Sequence, residues 1–234
     1  ALNAIVNTEN GGLKISPFSA ALINNDVLHG VIEFGIDKNL SEARQRIIEA
    51  SEYSPEVPKT LNATLRHYQL DGYHWMARLN KWGAGALLAD DMGLGKTLQS
   101  IAFLLLQKEH GPSLVVAPAS VVPNWKSEIE RFAPSLNVQI LNFAQDRKEV
   151  IDNAGPGDVV VTTYGILLSV QDLITSKEWN VACLDEAHII KNRGAKTSAA
   201  AMKIQAKNRI MLTGTPVQNH LGELWNLFQF VTPG

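Results

Sequence analysis

From Leu61 onward the chain alternates short apolar runs with longer stretches of helical periodicity. The runs at 86–89, 114–117, 138–141, 159–163, 181–184 and 210–213 are rich in Val, Ile, Leu or Ala. Most are separated by ten or more residues of helical pattern. Strands that are apolar on both faces and joined by helices predict a mainly parallel sheet flanked by helices, an α/β fold. Helices are expected at 68–82, with Tyr68, Gly72, Trp75, Met76 and Leu79 on one face, and at 97–107. Ligands in such folds bind beyond the C-terminal ends of the strands. No internal repeat or low-complexity tract breaks the pattern.

Residues 1–60 read differently. Gly11-Gly12, Asn24-Asn25 and the Pro-containing run at 54–58 punctuate short apolar patches. A strand is expected at 27–36. A helix is expected at 40–50, with Ser41 near its start and Glu42 in its first turn. This part carries no catalytic motif and is expected to be a small N-terminal extension and linker ahead of an α/β lobe at 61–234.

Composition narrows the class. The chain has 234 residues, 45% hydrophobic and 19% charged, which suits a globular protein with a large core. Its single cysteine, Cys183, lies inside an apolar run, so an internal disulfide is excluded and a reducing, intracellular location is expected: cytoplasm or nucleoid in a bacterium, nucleus in a eukaryote. No apolar stretch approaches membrane-spanning length, and the first residues lack the pattern of a signal peptide. The chain does not begin with Met and stops just past a helical segment, so it is expected to be a piece of something longer. A net charge of −2 gives no global argument for nucleic acid.

Two motifs carry chemistry. Residues 90–97 read Asp-Asp-Met-Gly-Leu-Gly-Lys-Thr, and residues 185–188 read Asp-Glu-Ala-His. Gly95-Lys96-Thr97 is the core of a phosphate-binding loop, although Asp90 stands where the formal pattern has glycine. Glycines let backbone N–H groups approach phosphate, the lysine supplies charge, and the threonine hydroxyl reaches magnesium. A strand before the loop and a helix after it aim a helix N-terminus at the anion. Asp185 follows a buried-strand pattern and is placed to hold the metal. Glu186 is placed to deprotonate the attacking water. Thr97 and Asp185 are thus the expected magnesium ligands, and ATP with Mg2+ the expected cofactor.

Several runs, taken in order, resemble one family. They are Leu65-Arg-His-Tyr-Gln69, the loop at 88–97, Leu114-Val-Val-Ala-Pro118 with Asn124-Trp125, Val161-Thr-Thr-Tyr164, Asp185-Glu-Ala-His188 with Lys191-Asn192, and Leu212-Thr-Gly-Thr-Pro-Val-Gln-Asn219. The set resembles the first RecA-like, P-loop lobe of the Swi/Snf-type ATPases, helicase-like enzymes that translocate on double-stranded DNA. The likeness covers 61–234.

It implies that Gln69 reads the adenine edge, and that Asp91, Met92, Gly93, Leu94, Gly95, Lys96, Thr97 and Leu98 cradle the nucleotide. His188 and Thr213-Gly214-Thr215 would couple nucleotide state to DNA. Pro118, Ser120, Trp125, Lys126, Thr162, Thr163 and Tyr164 would lie on DNA. Lys191 and Arg193 open a basic stretch without acidic residues to Arg209, suited to a phosphate backbone. For four of these sites another role stays open: an ordinary exposed helix residue for Gln69, a strand-end turn for Thr-Gly-Thr, the core for Trp125, and a solvated face for the basic stretch.

The implied partners are double-stranded DNA, a second RecA-like lobe carrying arginines, and a DNA-bound protein complex. A strand-separating DNA or RNA helicase, or a nucleic-acid-binding scaffold that has lost hydrolysis, are the competing functions.

Overall fold

The computed structural model describes residues 6–9, 12–15, 38–190, 195–214 and 221–232, with side chains described at 45–190, 195–214 and 224–232. The expected strand at 27–36 lies outside them. The chain divides into two units, Ala1–Tyr53 and Ser54–Gly234. The first holds an antiparallel pair, β1 (Val6–Glu9) and β2 (Gly12–Ile15), in which Val6 faces Ile15. It also holds α1 (Lys38–Glu52), which contains the helix expected at 40–50.

The second unit contains one parallel sheet of six strands, one at each of the six expected apolar runs. Its strands are β3 (Ala86–Leu88), β4 (Ser113–Ala117), β5 (Asn137–Ile140), β6 (Asp158–Thr163), β7 (Glu178–Leu184) and β8 (Gln205–Leu212). Their order is β3-β8-β7-β4-β6-β5, and every pairing is parallel. All of β4 is buried, as is β6 apart from its half-buried first residue, Asp158. That is why these strands read as continuous apolar runs rather than as alternating ones.

Helices cover the sheet: α2 (His67–Trp82), α3 (Lys96–Gln107), α4 (Val122–Phe132), α5 (Arg147–Asn153), α6 (Tyr164–Ser169), α7 (Gln171–Ser176), α8 (Lys196–Met202) and α9 (Leu221–Val231). One core layer joins Leu114, Val116, Val160, Ala182, Leu184 and Met211 of the strands to Leu167, Ile174, Ala201, Leu227 and Phe230 of α6 to α9. The topology places the C-terminal ends of β3, β8 and β7 side by side, which decides where the site forms.

The buried face of α2 is rotated from the expected one. Gln69, Tyr73, Met76 and Ala77 are buried, whereas Trp75 is 40% exposed. The segment 54–58, expected to be a linker, is fastened to this helix. Tyr73 donates to Glu56 O at 3.0 Å, the His74 ring stands 3.2 Å from Pro55 O, and Arg78 donates to Ser54 at 2.8 Å. These tethers and the burial of Tyr73 define the face that packs.

Candidate nucleotide site

The phosphate loop leaves β3 and enters α3 through Gly95, whose φ of 78° is left-handed. A Cβ there would stand 2.4 Å from Gln69 Nε2, so the backbone conformation favours glycine and a larger residue would have to push the Gln69 amide aside. Lys96 Nζ donates to Asp90 O at 2.7 Å and Asp91 O at 3.0 Å, which folds the loop around its own lysine. Gln69 is buried. It accepts from Arg66 N at 2.9 Å and donates to Leu94 O at 3.2 Å, so its amide ties the start of α2 to the loop. Gln99, a buried polar residue on the apolar face of α3, donates to Asp90 Oδ2 at 3.3 Å. Its polarity within that run was the available sequence signal for a loop-supporting residue, and it was missed. Asp91, Met92, Gly93 and Leu94 are exposed at the loop tip, while Thr97 and Leu98 are half-buried in the first turn of α3.

The next strand over brings in the Thr-Gly-Thr run. Thr213 is buried, and its N–H donates to Leu88 O at 3.1 Å, extending the β3–β8 pairing. A Cβ on Gly214 would stand 3.1 Å from Met92 Cγ, so the loop tip lies against this turn. Thr215, Lys191 and Arg193 lie outside the described residues.

Asp185 directly follows β7, is buried, and has a partner on every polar atom. Its N–H donates to Val116 O at 2.8 Å. Oδ1 accepts from Glu186 N, and Oδ2 accepts from Trp125 Nε1, each at 2.8 Å. Its carbonyl accepts from Tyr164 OH at 2.7 Å. Burial pushes its carboxyl above the usual carboxylate range. The Trp125 and Glu186 N–H donors and the Lys96 charge oppose that rise, and the Glu186 charge adds to it. Glu186 itself is left-handed, with φ 49°, a rare conformation for a residue with a side chain. Its Oε2 stands 3.1 Å from His188 Nδ1, close enough for an ion pair with a protonated imidazole, though His188 Nδ1 makes no hydrogen bond. Burial raises the thiol pKa of Cys183 well above its usual value, which leaves it an inert core residue.

The donors expected for magnesium are all oxygen, the Asp185 carboxylate and the Thr97 hydroxyl. No group of three or more His, Cys, Asp or Glu among the described residues could hold an ion alone. This set fits a cation whose other ligands are phosphate oxygens and water.

The residues expected on DNA divide into two groups. Ser120 and Lys126 are exposed, and Pro118 is half-buried. Lys126 is 3.6 Å from Glu130, an exposed pair of little energetic weight. The side chains of Trp125, Thr162, Thr163 and Tyr164 are buried instead. Trp125 and Tyr164 point at Asp185, Thr163 Oγ1 caps α6 by accepting from Ile166 N at 3.2 Å, and the Thr162 hydroxyl has no hydrogen-bond partner.

Comparison with known proteins agrees with this arrangement. The sequence profile of the SNF2-related domain matches residues 68–234. YwqA of Bacillus subtilis is 40% identical over 98% of this chain and 25% of its own length. The TATA-binding protein-associated factor MOT1 of Saccharomyces cerevisiae is 38% identical over 81% of this chain and 11% of its own length. The ISWI chromatin-remodeling complex ATPase ISW1 of the same yeast is 40% identical over 76% of this chain and 16% of its own. The chain therefore spans a quarter or less of these relatives. The SWI2/SNF2 ATPase core of Sulfolobus solfataricus, solved in complex with dsDNA, superposes with a TM-score of 0.70 at 41% identity, covering 78% of this chain and 38% of that one. No helix among the described residues is long and apolar enough to cross a membrane. On this evidence the chain belongs to the SNF2-related domain family and corresponds to the N-terminal lobe of its ATPase core.

Proposed function

We propose that this lobe binds ATP with magnesium and works as the nucleotide-binding half of an ATP-dependent motor that translocates on double-stranded DNA inside the cell. The observation that carries this reading is the adjacency of three strand ends. The phosphate loop after β3, Thr213-Gly214 after β8, and Asp185-Glu186 after β7 stand side by side. The dsDNA bound to the Sulfolobus solfataricus core supports duplex DNA as the track.

In this reading Lys96 exchanges its two loop carbonyls for the β- and γ-phosphates, with Gly93 and Gly95 letting the backbone approach. Bound magnesium would neutralise developing charge on the phosphates. Asp185 and Thr97 would hold it. Glu186 accepts the proton as water oxygen attacks the γ-phosphorus and the bond to ADP breaks. His188, 3.1 Å from Glu186 Oε2, would link the state of the nucleotide to the rest of the lobe. Met92 against Gly214 relays loop movement to the Thr-Gly-Thr turn. Ser120 and Lys126, with Lys191 and Arg193, supply phosphate contacts that do not read sequence. Binding of DNA is then expected to weaken steeply with salt.

A second lobe bearing arginines is expected to complete the site. Such arginines contribute about 10³–10⁵ in rate in phosphoryl transfer. The test is phosphate release by this chain with and without duplex DNA. Slow release with little DNA stimulation is expected. Fast, strongly DNA-stimulated release by this chain alone would break the two-lobe model, and stimulation by single strands alone would favour a strand-separating helicase.

A further inference from the structure

Asp185 is fixed by side chains from two other strand ends. Trp125 is the fourth residue of α4, which follows β4, and Tyr164 opens α6 directly after β6. β4 lies between β7 and β6 in the sheet. Both rings are buried, and at 164 a phenyl ring would fill the same space. Instead each carries a polar hydrogen aimed at Asp185: the indole N–H at Oδ2, 2.8 Å away, and the phenol O–H at the carbonyl, 2.7 Å away. With Glu186 N on Oδ1, each carboxylate oxygen accepts one protein donor. Each keeps lone-pair capacity for another partner, and the carboxylate plane is held against rotation.

We propose that Trp125, assisted by Tyr164, is a positioning residue for the nucleotide-bound cation, holding the Asp185 carboxylate in the orientation that binds it. The proposal rests on the ATP-binding reading above and adds a role that sequence alone did not suggest. The buried rings stand in the first turns of α4 and α6, so a shift of α4 acts directly on the carboxylate and a shift of α6 on the backbone that carries it. Ser120 and Lys126, given to the DNA track, flank the start of α4. The Trp125–Asp185 bond is then a short mechanical link between the DNA-facing surface and the metal ligand.

The test uses a fluorescent ATP analogue, bound first in EDTA and then across a Mg2+ titration, with wild type, Trp125→Phe and Tyr164→Phe. Both variants should bind the analogue without metal within about twofold of wild type. The Mg2+ concentration for half-maximal enhancement should rise roughly three- to tenfold in Trp125→Phe and less in Tyr164→Phe, from loss of one hydrogen bond to the carboxylate or to its backbone. Tyr164→Phe loses a single oxygen, and it decides the matter if Trp125→Phe does not fold. Wild-type Mg2+ dependence in the folded variants overturns the proposal. So does an equal fall in metal-free and metal-dependent affinity, because that marks packing alone. If wild type shows no nucleotide binding, the ATP-site reading fails first and this proposal falls with it.

Discussion

Replacing Gly95 by alanine separates two demands that the loop makes on one residue. The left-handed backbone at φ 78° and ψ 37° costs a residue with a Cβ about 1–2 kcal/mol. The new methyl would also stand 2.4 Å from Gln69 Nε2, so that side chain must leave Leu94 O, at about 1 kcal/mol, and can drag its bond from Arg66 N with it. The total is about 2–4 kcal/mol, equivalent to roughly thirtyfold to a thousandfold in affinity if the loop relaxes away from its nucleotide-binding shape. Gly93 is the internal control. Its φ is 85°, yet a Cβ there meets no protein atom within 4 Å, so Gly93→Ala shares the backbone cost and any crowding of the phosphates with Gly95→Ala but not the clash with Gln69. Calorimetric titration with Mg-ATP should show a larger loss for Gly95→Ala than for Gly93→Ala. In a Gln69→Ala background that excess should vanish, a coupling that a double-mutant cycle reads directly. The strain is released by local relaxation of the loop, so melting should fall by less than the roughly 5–15 °C that about 2–4 kcal/mol of lost global stability would give. Equal losses in the two glycine variants, or an excess that survives removal of Gln69, would refute the steric argument.

Other perturbations test other parts of the account. Glu186→Gln should leave Mg-ATP affinity near wild type while abolishing most turnover in a protein carrying both lobes, measured by phosphate release, because an amide cannot accept the proton. Gly85→Ala should destabilise the fold by about 2–4 kcal/mol, because its Cβ would stand 2.5 Å from Val231 O and 2.7 Å from Arg209 O, both backbone atoms; thermal melting should fall by roughly 5–15 °C. The raised carboxyl of Asp185 means that the folded lobe holds this proton more tightly than the unfolded chain does. Asp185 therefore lowers stability at neutral pH, and that effect fades as pH falls through its folded value. Mg2+ must displace the same proton, so titrations from about pH 7 down to about pH 4.5, each referenced to Mg2+ binding by free ATP, whose terminal phosphate takes up a proton at about pH 6, should show a further weakening of the Mg2+-dependent affinity above the ordinary carboxylate range.

The sheet was legible in the sequence because β4, β6 and the end of β7 are buried on both faces and leave uninterrupted apolar runs. Where burial is partial the reading fell short. β8 begins at Gln205, well before its apolar end, since Gln205 and Lys207 at the start of the strand are exposed and Arg209 is a charged residue folded over the Phe230 ring, 5.0 Å from its centroid. The β1–β2 pair was missed although Asn10-Gly11, a dipeptide common in tight hairpins, lies between the strands. The loop and the Asp-Glu-Ala-His run could be read because their chemistry is local in the chain. The contacts of Trp125 and Tyr164 with Asp185 could not, since they join residues 60 and 21 positions apart, and nothing in local periodicity records which way a buried indole N–H points. The same holds for Gln69, whose amide is taken up by Leu94 O, 25 positions away.

The central claim is that the loop at 90–97 binds the phosphates of ATP through Lys96. Calorimetric titration of the wild-type chain and Lys96→Ala with ATP and Mg2+ tests it most directly. One site per chain in wild type, and about ten- to hundredfold weaker binding in the variant, follow from loss of a charge-assisted contact of about 1.5–3 kcal/mol. Equal affinity in the two folded proteins, or no binding to wild type, would contradict it.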